Sequence, residues 1–167
     1  MNKSSPAYKV GYAAILAALA MIFSYIEAII PFSIGIPGVK LGIANLVIVI
    51  ALYKLNFKFA FLINLIRIFM VGFLFTGAFG ILYSLAGGIL SLFVMVLVNK
   101  AKVFSIVGVS LAGGVAHNLG QLITAALIVS NIKIFIYFPV LIFSGLISGI
   151  IIGIVAGLIL TKLDKAI

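Results

Sequence analysis

From Val10 to Ile30 the chain runs through about 20 residues that carry a single charge, Glu27. A stretch of that length and polarity is long enough to cross a bilayer as one helix. It is also longer than the 7–15-residue apolar region of a removable signal peptide, so the basic "MNKSSPAYK" ahead of it is read as the flank of a retained helix. The pattern recurs to the end of the chain. Of 167 residues, 66% are hydrophobic and 8% charged, and the mean hydropathy is +1.49. So little polar surface cannot clothe a water-soluble domain, which leaves the bilayer as solvent. The apolar runs are unbroken rather than alternating, which excludes a porin-type barrel and leaves helices to satisfy the backbone. The expected fold is an all-α, single-domain membrane protein over residues 1–167.

Runs and breakers divide the chain into six spans, at about 9–30, 42–54, 58–77, 79–98, 104–130 and 135–161. The second is short, so the "PFSIGIPGVKLG" before it is expected to dip back into the protein. With the N-terminus in the cytoplasm, Lys3, Lys9, Lys54, Lys58, Lys100, Lys102, Lys162 and Lys165 fall inside, and only Lys40 and Lys133 fall outside. That asymmetry sets the orientation with both termini cytoplasmic. It also accounts for the net charge of +9 through helix ends and lipid headgroups, with no need for nucleic acid.

In this topology the polar residues gather in the middle and outer half of the membrane. Such residues are costly in lipid and normally face a bundle interior or a wet cavity. Arg67 stands near mid-membrane with Asn64 one turn away, and His117 and Gln121 share a helix face at i,i+4. The expected ligand site is an externally open pocket with Lys40, Arg67 and His117 as cationic or donor groups. Asn45, Tyr83, Asn118 and Gln121 would add directional hydrogen bonds. The ligand implied is small, anionic or carbonyl-rich, with an apolar part, because arginine suits bidentate carboxylate or phosphate recognition. Each of these residues except Gln121 has a plainer reading beside this one. Arg67 pairs with Glu27, His117 packs, Asn45 and Asn118 join helices, Lys40 snorkels to headgroups, and Tyr83 belongs to an aromatic belt.

Two stripes of small residues suit helix contacts. Gly145, Gly149, Gly153 and Gly157 recur every four residues in the sixth span, where internal packing is the favoured reading. Ala13, Ala14, Ala17 and Ala18 line the first span, where internal packing and partner docking stand level. Several chemistries are excluded. There is no cysteine and one histidine, and Glu27 and Asp164 are the only acids, so no metal shell can be filled. Paired magnesium-binding acidic motifs, a P-loop and a Ser–His–Asp set are all missing. The chain is expected to be no enzyme and to need no cofactor.

Three segments, "IPGVKLGIANL", "SLAGGILSL" and "GVAHNLGQL", resemble the Gx transporter family, which carries the label heptaprenyl diphosphate synthase component I. The resemblance covers nearly the whole chain. That family is similar to the substrate-binding S-components of energy-coupling-factor transporters, six-helix bundles of the bacterial cytoplasmic membrane. The resemblance implies capture of a small ligand from outside and docking on a T-component powered by ATPase subunits. Ala13–Ala17 and Ala14–Ala18 would form the docking surface. Residues 31–41, with Lys40, would gate the pocket. The ligands it suggests are related to vitamins, isoprenoids or quinones. The label leaves a second expectation, a non-catalytic membrane subunit of an isoprenoid diphosphate or quinone-linked redox system.

Overall fold

The computed structural model describes residues 5–29 and 42–165. Lys3, Lys40 and the expected gate at 31–41 lie outside the described residues. What is described is helical, with no strand among those residues. The helices are α1 (Pro6–Ile29), α2 (Ile43–Lys54), α3 (Phe57–Val71), α4 (Gly77–Lys100), α5 (Ile106–Val129) and α6 (Phe138–Lys165). A π-helical turn, Gly72–Thr76, extends α3, and a 3-10 turn, Ile132–Tyr137, leads into α6. Four helical runs are long and apolar enough to cross a membrane: Pro6–Ile29, Phe57–Lys100, Ile106–Val129 and Ile132–Lys165. These are the helices of a multi-pass membrane protein.

Local chemistry sets the helix starts. The side chains of Asn56 and Ser105 accept from the N–H groups of Phe59 at 3.1 Å and Gly108 at 3.3 Å, closing the first turns of α3 and α5. Helix α2 begins differently. Gly42 sits in the left-handed region (φ 70°), and the open Ile43 N–H donates to Glu27 Oε1 of α1 at 3.0 Å. A carboxylate at a helix N-terminus also meets the positive end of the helix dipole.

The Phe57–Lys100 run is a hairpin rather than one long rod. Gly77 (φ 70°, ψ −175°) reverses the chain between the π turn and α4. Gly72 lies against Ile81 and Gly88 against Asn64, which is antiparallel register. A Cβ on Gly72 would come within 2.1 Å of Ile81 Cγ1, so the turn closes only without one. Helices α4 and α5, and α5 and α6, are also antiparallel: Gly120 meets Ala86 and Gly113 meets Met95, while Gly145 meets Gly114 and Gly153 meets Val107.

Between Leu46 and Leu52 helix α2 is apolar all round, and Val47, Ile48, Val49, Ile50, Ala51 and Leu52 are all buried. A helix with no polar stripe belongs in an interior. Its 12 residues span roughly 18 Å at 1.5 Å per residue, less than the bilayer core. It packs among α1, α3 and α6. The core around it fills the end of the bundle where α2 and α6 finish, with Leu16, Ala20, Met95, Val109 and Leu160. At that end Lys54 pairs with Asp164. Lys54 is 18% exposed and Asp164 72% exposed, so the pair gains little from solvent-screened attraction. Asp164→Asn is expected to change stability by less than about 1 kcal/mol in denaturant titrations of the detergent-solubilised protein.

The small-residue stripes divide. Gly145, Gly149 and Gly153 press on the α5 backbone, but a Cβ on Gly157 would meet nothing within 4 Å. Gly157 is therefore no part of the α5–α6 seam that its spacing predicts; the contact runs out one turn before it. In α1, Ala17 is buried and Ala13 packs on the core, whereas Ala14 and Ala18 are exposed. A period of 3.6 rotates the two alanine pairs onto different faces.

Candidate functional site

The core stops short of the opposite end of the bundle, where α1 ends and α2 begins. There a cavity of about 50 Å³ opens between the helices. Ser24, Glu27 and Ala28 line it from the last turns of α1, and Gly42 and Asn45 from the start of α2. Arg67, Ile68, Val71, Gly72 and Thr76 contribute from α3 and its π turn, Ser84 from α4, and His117 and Gln121 from α5. A second cavity, about 20 Å³, shares the Gly42, Asn45 and His117 wall and runs in among Ser91, Ser110, Asn118 and Ser148.

Arg67 organises the first cavity. Its side chain is 8% exposed. Nε donates to Asn64 Oδ1 at 2.9 Å, Nη1 to Ser24 Oγ at 3.3 Å and Nη2 to Asn45 Oδ1 at 3.2 Å. Three helices therefore hold one guanidinium, and every acceptor among the described residues is neutral. The expected alternative, an Arg67–Glu27 ion pair, does not close to contact among the described residues, although the Glu27 charge acts on Arg67 across the cavity. Glu27 lines the same cavity but is engaged by the start of α2.

The Gly87–Gly88 pair of α4, buried on both residues, seats the neighbours. A Cβ on Gly88 would approach Asn64 Nδ2 to 2.8 Å. One on Gly87 would approach the His117 carbonyl to 2.9 Å and Gln121 Cγ to 3.0 Å. The pair thus lets α3 bring Asn64 under Arg67 and lets α5 bring His117 and Gln121 to the cavity wall.

Of the residues expected from sequence, Asn45, Arg67, His117 and Gln121 come together around one cavity. Asn118 lines the second, and its Nδ2 donates to the Leu141 carbonyl at 2.8 Å, which also joins α5 to α6. Tyr83 lines neither cavity; its neighbour Ser84 does. In a helix adjacent residues point about 100° apart, so only one of the two can face inward. Lys40 lies outside the described residues. Sequence reasoning passed over Ser24 and Thr76. Ser24 could have been found from its i,i+3 spacing to Glu27. Thr76 could not, because it reaches the wall through the π turn.

No curated protein and no solved structure matches the chain at a significant level. A family match, however, spans residues 16–159, from the first helix to the last and across the whole cavity wall. By that match the chain belongs to the heptaprenyl diphosphate synthase component I family.

Proposed function

We propose that the chain is a substrate-binding membrane subunit of the S-component type. In this reading it crosses the bacterial cytoplasmic membrane six times with both termini inside. It captures a small ligand from outside and releases it inward through a T-component and partner ATPases. The observation that carries the reading is the polar cavity around Arg67, open at the lysine-poor end of an otherwise apolar bundle. A buried arginine in a membrane bundle that faces a cavity is the usual mark of a ligand path. The lysine asymmetry supports external capture. Nothing in the residues supplies catalysis: the cavity's one carboxylate, Glu27, has no acidic partner to hold magnesium.

Native mass spectrometry of the protein gently extracted from its own membrane tests this directly. The expected spectrum contains a small molecule retained by the wild type, and a larger assembly with T-component and ATPase masses. A synthase or redox subunit in their place, with no releasable small molecule, would select the second reading, a non-catalytic membrane subunit of an isoprenoid diphosphate or quinone-linked system. The family's name favours that second reading by implying a partner component in a synthase complex.

Docking has its own test. Ala17 is 8% exposed within the core, so Ala17→Leu overpacks it and is expected to cost about 1–3 kcal/mol of stability. Ala14 is exposed, and Ala14→Leu is expected to leave the melting temperature unchanged while abolishing copurification of the ATPases. Copurification that survives Ala14→Leu would remove this face from the docking surface.

A further inference from the structure

We propose that the Arg67 cavity is an oxyanion site, built to take one carboxylate or phosphate group on a compact ligand. The proposal rests on the substrate-binding reading and deepens it by naming the ligand class.

The choice of residue is the first argument. The chain has eleven basic residues, and ten are lysines; the single arginine is Arg67. Where the protein needs only positive charge at helix ends, it uses lysine. It uses arginine at one buried point, where a rigid fork of donors differs most from an ammonium. The charge balance is the second argument. A guanidinium stays charged in a protein, and a buried charge is strongly destabilising until it is paired. Asn64, Ser24 and Asn45 occupy three of its five N–H groups and offset none of its charge. Among the described residues two donors, one on each Nη, remain for a fourth partner, and Arg67 lines the cavity. Glu27 faces the same cavity and its charge reaches Arg67, but among the described residues it forms no ion pair with the guanidinium, and its Oε1 accepts from Ile43. A two-oxygen acceptor completes the fork in the bidentate manner that guanidinium favours.

Size and lining narrow the class. A site of about 50 Å³ has room for roughly three to five water molecules, the scale of a carboxylate or a single phosphate group. The space beyond it is flanked by Ser91, Ser110 and Ser148. Val49, Met95 and Ile152 stand beside them, and at about 20 Å³ the space is too small for an isoprenoid chain.

The composition also supplies the probes. The chain holds one arginine and one histidine, and both line this cavity. Full-length protein labelled with ¹⁵N at arginine and histidine, in a maltoside micelle free of phosphate and carboxylate, gives one Nε–H signal and one imidazole set. Titration with inorganic phosphate or acetate is expected to shift both signals saturably, with chloride at equal ionic strength leaving them in place. In Arg67→Lys the His117 signal is expected to respond at least about tenfold more weakly, because the charge remains and the fork is gone. If the signals move only when phosphatidylglycerol is added, the oxyanion is a lipid headgroup and the site chemistry stands. No response to any of the three, or an unchanged His117 response in Arg67→Lys, overturns the proposal. An absent ATPase partner would sink the uptake reading while leaving the shifts intact, so the two failures are separable.

Discussion

On the proposed substrate-binding function, Arg67→Met is expected to abolish retention of a small-molecule ligand and leave the fold standing. Truncating one side of a buried, hydrogen-bonded charge pair costs about 2–5 kcal/mol of binding, so affinity falls by at least about 30-fold. The effect on the empty protein is different. Methionine gives up three hydrogen bonds to neutral acceptors, worth about 1 kcal/mol each. It also removes a buried cation with no carboxylate in contact among the described residues, whose desolvation opposes folding by several kcal/mol. The two terms roughly cancel, and the melting temperature of ligand-free protein should stay within a few degrees of wild type. Retention measured by native mass spectrometry, with thermal unfolding of the same preparation, checks both halves. A variant that unfolds would make Arg67 a structural keystone; one that keeps its ligand would move the site elsewhere.

Gly149→Ala and Gly157→Ala are expected to differ sharply although both sit on one stripe of α6. A methyl on Gly149 would stand 2.6 Å from Leu111 Cα and 2.9 Å from the Ser110 carbonyl. Both are backbone atoms and cannot swing aside, so α5 and α6 must separate. In a bilayer, close backbone packing is much of what holds helices together. The expected cost is about 1–3 kcal/mol. A methyl on Gly157 meets open space, and alanine is the better helix former by about 1 kcal/mol, so that variant should be neutral or slightly stabilised. Unfolding titrations in mixed detergent micelles distinguish them. Equal losses at the two positions would mean that α6 packs along its full stripe.

The alanines of α1 repeat the lesson of the glycines. Spacing marks which small residues share a helix face, but it does not say which face meets a neighbour. Ala13 and Ala17 turn inward and Ala14 and Ala18 outward, and only packing against the core around Leu16 and Ala20 decides between them. Arg67 shows the same limit. Its burial follows from its sequence context, since a lone charge amid apolar residues of a membrane helix must find polar company. The identity of that company does not. Ser24, Asn45 and Asn64 come from separate stretches of chain, and Glu27, the obvious partner by charge, lies across the same cavity with its Oε1 on the N–H that starts α2.

Composition alone determined the solvent, the helical class and the polar residues available for a site. Those are properties of residue type: apolar runs cannot face water, and backbone groups in lipid must bond within their own helix. Tertiary structure decided which polar residues meet, because meeting depends on helix rotation and on the distance between backbones. The Gly87–Gly88 pair sets that distance for Asn64, His117 and Gln121, and the reversal at Gly77 sets the depth of Thr76 and Ser84. A glycine's effect on its neighbours lies in the space it leaves, and that space exists only once the helices are packed.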